Sequence, residues 1–278
     1  MNVDSSLQPD VRAVREFWNR LPLFVGESTQ PVGTREFFQQ HLDSARYEYG
    51  GRFPEIFFAD VSPGKRVAEV GCGIGIWVHH FRQRGANVIA CDLSDSSVRL
   101  TRRRSELFKL QTPVAQGNAE QLPFADESFD HVNCQGVIHH TPATAECIRE
   151  FQRILKPRGT LSFSVYYSVW ALRSKTLFRF VRGAGKMLFR LQGRGRETMF
   201  SVKSPADLVR YYDGADNPIG KAFTWSEIRS MLAGRFEIVD RERYLVPRRA
   251  LPFRIPDWLF RFLVRRFGLM IVLRCRKI

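Results

Sequence analysis

From Arg66 onward the chain alternates short apolar runs with helical stretches, and the first run, Arg66–Val70, ends in Gly71-Cys72-Gly73-Ile74-Gly75. Strands this short and apolar, separated by helices, bury themselves as a parallel sheet covered on both faces. The second run, Asn87–Cys91, ends at Asp92, and Ser94 caps the helix that follows. A weak third, Val114–Gln116, leads into Gly117-Asn118-Ala119-Glu120. A fourth, Phe129–Cys134, leads into Gln135-Gly136-Val137-Ile138-His139-His140. The helix Ala143–Leu155 stops before Pro157-Arg158-Gly159, a tight turn into the fifth strand, Thr160–Tyr167. Thr224-Trp225-Ser226-Glu227 has the spacing of a capping box and opens a helix to Leu232. Phe236–Arg243 and Leu269–Arg276 complete seven strands, the last two without a helix between them.

Before residue 62 the pattern is helical. Asp10–Asn19 gathers Val11, Val14, Phe17 and Trp18 on one face, and Thr34 caps a helix that gathers Phe37, Phe38, His41 and Leu42. The expected organisation is an N-terminal helical cap over 1–62 and an α/β domain over 63–278. Two segments exceed a minimal sheet of this kind, at about 168–221 and 245–267, and the topology sends both over one edge. Charge divides the chain as well. Residues 1–170 carry 19 basic and 19 acidic side chains, so the net +15 lies wholly beyond them. Five cysteines, with no C-x-x-C pair, argue against a disulfide scaffold and a cysteine-based zinc site, and no metal ligands are expected. The first residues lack a cationic start followed by an apolar stretch, and no apolar run approaches the ~20 residues of a spanning helix. The expected address is the cytoplasm.

Five ordered motifs carry a resemblance. Val67-Ala68-Glu69-Val70-Gly71-Cys72-Gly73-Ile74-Gly75, Asp92, Gly117-Asn118-Ala119-Glu120-Gln121-Leu122-Pro123-Phe124, Ser128-Phe129-Asp130 and Leu155-Lys156-Pro157-Arg158-Gly159 resemble the successive motifs of class I S-adenosylmethionine-dependent methyltransferases. The likeness is greatest to the branch of the ubiquinone and menaquinone biosynthesis enzymes, and it covers residues 60–170 strongly. The expected fold is therefore α/β, a Rossmann-like seven-stranded class I methyltransferase sheet with the N-terminal helical cap and two lid insertions. The expected cofactor is S-adenosyl-L-methionine. A dinucleotide site would want glycine at 76, where the chain has isoleucine. Gly71, Gly73 and Gly75 let the backbone approach the ligand, and the Glu69 carboxylate suits the ammonium of its methionine moiety. Asp92 can accept from both ribose hydroxyls. In the resembling family the position of Asn118, beside Ala119, pairs with the adenine amine. Leu93 would cover one adenine face, and Gln135 would lie beneath the methionine end.

Methyl transfer from a sulfonium is an in-line displacement, so catalysis is largely positioning. A base is needed only for a protonated acceptor, and His139 and His140, straight after the fourth strand, are the catalytic candidates, His139 preferred. Trp18, Tyr47 and Tyr49 are candidates to close over the cofactor. The chain has Cys134-Gln135-Gly136-Val137 where methyltransferases of nucleobase amines usually carry Asn/Asp-Pro-Pro-aromatic, which disfavours a base-amine acceptor. Trp170–Arg182 and Trp258–Phe267 mix aromatic and cationic residues at helical spacing. They read as a solvated lid, as a helix pair in peripheral contact with an anionic membrane, or as a grip on an anionic acceptor such as a diphosphate. RNA binding ranks last because the cations interleave with large apolar residues. The acceptor expected is a small, hydrophobic, lipid-like or anionic metabolite, methylated at carbon or oxygen. The alternatives are an RNA methyltransferase and a non-catalytic, cofactor-binding, membrane-recruited partner protein.

Overall fold

The computed structural model describes residues 10–48, 53, 55–58, 60–168, 174, 176, 178–180, 182–183, 196–244 and 255–278. Two helices lead, α1 (Val11–Arg20) and α2 (Arg35–Glu48). Asp10 caps α1 by accepting from the Ala13 N–H at 2.8 Å, and the Thr34 hydroxyl accepts from the Phe37 N–H at 3.2 Å at the start of α2. The sheet follows as β1 (Arg66–Val70), β2 (Asn87–Asp92), β3 (Val114–Gln116), β4 (Phe129–Gln135), β5 (Leu155–Tyr167), β6 (Ala222–Phe223), β7 (Phe236–Tyr244) and β8 (Met270–Lys277). Between them lie α3 (Ile76–Gln83), α4 (Asp95–Leu107), α5 (Thr144–Ile154), α6 (Pro205–Tyr212), α7 (Trp225–Leu232) and α8 (Asp257–Phe267).

The strands run in the order β3-β2-β1-β4-β5-β8-β7, with the two-residue β6 paired to the end of β5. All pairs from β3 to β5 are parallel, and β8 is antiparallel to both its neighbours. Adjacent side chains of a strand serve opposite faces. Val67 joins a core with Val78 and Phe81 of α3 and Val98 of α4, whereas Ala68 joins a second core with Ile148 and Phe151 of α5 and Ile228 of α7. Both faces are thus covered, which is why the strands read as nearly continuous apolar runs.

The fifth strand departs from expectation. Leu155 already pairs with Phe129, yet the next partners are His131 and Thr160, so residues 156–159 bulge out of the ladder. Lys156 ties the bulge down by donating to Asp130 Oδ1 at 2.9 Å, and Arg158 turns with φ 60°. The eighth strand, β6, was not expected, since two residues leave no periodicity to read. The Thr224–Glu227 capping box is present in full and opens α7. Most of the expected Trp170–Arg182 helix, together with residues 184–195 and 245–254, lies outside the described residues. All five cysteines are free and buried. Among the described residues no helix is long and apolar enough to cross a membrane.

Candidate active site

The strand order reverses between β1 and β4. There the connections leave in opposite directions, and a crevice opens beyond the carboxyl ends of the strands. A cavity of about 320 Å³ occupies it, within the range of sites that hold small ligands.

Its floor is the turn after β1. Gly71 and Cys72 donate their N–H groups to the Cys91 carbonyl, which locks the turn to β2. Gly71 has φ 71°, and a Cβ there would lie 2.2 Å from a Val137 methyl, so no other residue fits this approach. Asp92, at the end of β2, accepts from the Gly73 N–H at 2.8 Å and from the Ser94 N–H at 2.9 Å. Burial pushes its pKa up to about 6 against those two donors. Above Gly73 there is open space that a side chain would occupy.

Gly71, Gly73, Asp92, Leu93, Asn118, Ala119 and Gln135 line the cavity, as do His139 and His140. Glu69 and Gly75 do not. Gly75 faces the other way, and a Cβ there would press on Thr101 and Arg104 of α4 at 3.1–3.3 Å, so its smallness serves helix packing. Glu69 is wholly buried one layer below the turn and accepts from Asn133 Nδ2 at 2.6 Å. The row continues across the sheet, with Gln135 Nε2 donating to Asn133 Oδ1 at 2.8 Å and Ser162 Oγ at 3.0 Å. Glu69 Oε1 and Gln135 Oε1 stay buried without partners, and burial drives the Glu69 carboxyl well above its usual range. Asn118 Oδ1 accepts from the Glu120 N–H at 3.0 Å.

The opposite end holds the two histidines in one helical turn, Ile138–His140. His140 Nδ1 donates to the Ile219 carbonyl at 2.6 Å, and its Nε2 stands 3.2 Å from Asp213 Oδ2. The Tyr166 hydroxyl donates to the same oxygen at 2.5 Å. Burial pushes the Asp213 pKa up, but His140 and then Tyr166 outweigh it and hold it at about 2. His139 is fully buried, its ring 4.4 Å from that of Tyr166, and burial, then His140, hold its pKa well below the ordinary value. Trp18 of α1 closes this end, edge-on to His140 at 5.3 Å. Tyr47, by contrast, is exposed and off the cavity, and Tyr49 lies outside the described residues. Asp213 and Tyr166 were not singled out from the sequence. Tyr166 stands at the end of β5, level with the loop after β4, and was within reach of that reasoning. Asp213 closes α6 inside the first insertion, 73 residues from His140, and no local pattern announces it.

Residues 68–163 match the family model of a methyltransferase domain. The glycine loop and Asp92 both fall within that stretch. Residues 68–163 form a methyltransferase domain similar to those of class I S-adenosylmethionine-dependent methyltransferases. The chain is 29% identical over 155 residues to a ubiquinone biosynthesis O-methyltransferase of Hahella chejuensis, covering 55% of this chain and 63% of that one. It is 29% identical over 126 residues to a demethylmenaquinone methyltransferase of Corynebacterium kroppenstedtii, covering 41% and 52%. The aligned part thus spans about three fifths or less of the curated relatives. The fold matches that of magnesium protoporphyrin IX methyltransferase from Synechocystis, solved with bound SAH, at a TM-score of 0.56, 17% identity and 97% and 100% coverage.

The residues present fit the family's cofactor. S-adenosylmethionine carries a sulfonium and an ammonium, and the floor offers two acids that burial has raised in pKa and that a cation would relieve. Gln135 Oε1, on the cavity wall, is an acceptor without a donor, and the ammonium supplies donors. The space over Gly73 admits a ligand against the backbone.

Gly71→Ala should lower stability by at least about 2 kcal/mol in urea unfolding, from left-handed strain and the Val137 clash together. In a Val137→Ala background the loss should shrink, because only the clash is relieved. An equal loss in both backgrounds would show that this contact does not pin the turn.

Proposed function

We propose that this protein transfers the methyl group of S-adenosylmethionine to oxygen or carbon of a small, hydrophobic acceptor. The observation that carries the reading is the continuity of one cavity, from the Gly73–Asp92 floor to the His139–His140–Asp213–Tyr166 group. Gln135 would meet the methionine ammonium, with Glu69 buried behind it in the same hydrogen-bonded row, Asp92 the ribose hydroxyls, and Asn118, Ala119 and Leu93 the adenine. S-adenosylmethionine supplies the methyl group as a sulfonium. The protein's own residues hold the acceptor in line with it and shut out water, which is where positioning gains rate. Trp18, Tyr166 and Tyr212 give the acceptor end an aromatic wall, and Phe24 and Trp77 line the same cavity. That wall suits an apolar ring or prenyl-like body, in keeping with relatives named for quinone biosynthesis. His139 and His140 stand where an acceptor's proton must leave. Nothing in the cavity favours RNA as the acceptor, and an intact floor argues against a non-catalytic partner.

A second observation bears on delivery. On α8, Phe260 is buried, while Trp258 and Phe262 are 67% and 59% exposed on the far face. Arg261, Arg265 and Arg266 stand exposed on the same side. An apolar stripe edged by arginines on one helix face suits peripheral contact with an anionic bilayer, from which a lipid-like acceptor is drawn.

In calorimetry, Asp92→Ala should weaken S-adenosylmethionine binding at least about tenfold, since a hydrogen bond to a charged group contributes roughly 1.5–3 kcal/mol. The ribose hydroxyls need the ionised carboxylate. Wild-type affinity should therefore be level above neutrality and fall as pH drops through about 6. Unchanged affinity in the variant would remove the assignment. For delivery, the protein should sediment with phosphatidylglycerol vesicles at low salt and be released by high salt. Trp258→Ser with Phe262→Ser should weaken this, and a protein that stays in the supernatant at low salt excludes membrane contact.

A further inference from the structure

The geometry points to a binding site for one divalent first-row transition ion, formed by His139, His140 and Asp213 at the acceptor end of the cavity. The three residues all line the cavity, and one ligand atom from each lies within 4.8 Å of the others.

Hydrogen positions carry the argument. The Ile219 carbonyl, 2.6 Å from His140 Nδ1, can only accept, so the Nδ1 proton is fixed there. In the neutral ring Nε2 is then a bare lone pair, and it faces Asp213 Oδ2 at 3.2 Å. A lone pair and a carboxylate oxygen at that distance repel unless a cation stands at them, either a proton or a metal. His139 brings a second imidazole, whose ring centre is 4.1 Å from that of His140. The Ser164 backbone makes a hydrogen bond to this ring, and its Nδ1 is buried without a partner. Two imidazoles and one carboxylate with positions left open is the donor set that takes divalent iron, cobalt, zinc or manganese.

The surroundings are those of a metal site. Ligating histidines give their other N–H to a backbone carbonyl, as His140 does, and ligating carboxylates are themselves hydrogen-bonded, as Asp213 is by Tyr166. The Nδ1–H bond to the Ile219 carbonyl holds the His140 ring, and the Lys221 N–H donates to the His139 carbonyl at 3.0 Å, so both histidines are fixed from behind. Ligands about 2.1 Å from a tetrahedral ion stand roughly 3.4 Å apart, so atoms within 4.8 Å of one another must close by up to about 1.4 Å. An ion here faces the acceptor, and it selects one that offers an oxygen lone pair, such as a hydroxyl, whose proton it makes easier to lose. That selection rests on the methyl-transfer reading, whereas the ion site does not.

The test uses the full chain without an affinity tag, stripped with chelator and titrated with Co(II), whose visible absorption reports imidazole and carboxylate ligation. Wild type should take up one equivalent with a saturating visible band. His139→Ala and Asp213→Ala should lose the band, and Tyr166→Phe, which leaves the ligands in place, should bind about 10–100-fold more weakly. Absence of a stoichiometric band in wild type, or its survival in His139→Ala, overturns the site and leaves His140 and Asp213 as an imidazolium–carboxylate pair. Should a variant fail to fold by circular dichroism, the wild-type stoichiometry decides. Calorimetry with S-adenosylmethionine on the same samples separates the two readings. Cofactor binding without Co(II) uptake refutes the ion alone, and Co(II) uptake without cofactor binding refutes the methyl-transfer reading alone.

Discussion

A parallel sheet whose strand order reverses between β1 and β4 leaves a crevice at its carboxyl edge, and the functional groups of this chain are arranged around it. Backbone pairing sets the depth of the floor, because Gly71 and Cys72 donate to the Cys91 carbonyl and bring β2 level with β1. The same level places Asp92 against Gly73, and the β4 loop brings Val137 so close that only glycine is tolerated opposite it. Wall and ceiling are secondary to this. Trp18 arrives on α1, which is fixed to α4 by Ser96 Oγ donating to the Asn19 carbonyl at 2.8 Å, and Asp213 arrives on the first insertion.

Electrostatics make the crevice selective. Glu69 is wholly buried and Asp92 half-buried at the cavity floor, and burial raises the pKa of each. A ligand with positive charge relieves that cost, whereas a diphosphate would add to it. The far end has its own compensation, in which Asp213 is held ionised by His140 and Tyr166. The cavity thus has two acidic poles, one at the glycine turn and one at the His139–His140 turn, joined by an aromatic wall.

Much of this was legible in the sequence, for local reasons. The glycine turn, Asp92, the Ser94 and Thr34 caps and the Thr224–Glu227 capping box depend on residues within a few positions of one another. Features that depend on what lies across the sheet were not legible. Glu69 looks like a ligand contact in its motif, but the pleat turns it into the row with Asn133 and Gln135. Gly75 looks like part of the cradle and instead yields to α4. The bulge at 156–159 follows from the Leu155–Phe129 pairing, and Asp213 reaches His140 only because α6 folds back over the edge. The basic excess of the C-terminal part is legible as composition, and its use depends on which face of α8 is left outside.

The central claim is that the two poles of one cavity serve a single methyl transfer. Incubating the protein with isotopically labelled S-adenosylmethionine and a metabolite and lipid extract, then identifying labelled products by mass, tests it most directly. The account predicts an apolar product carrying one labelled methyl on oxygen or carbon, formed by wild type and not by Asp92→Ala. A wild-type protein that binds the cofactor yet labels nothing, or that labels only nucleic acid, would contradict it.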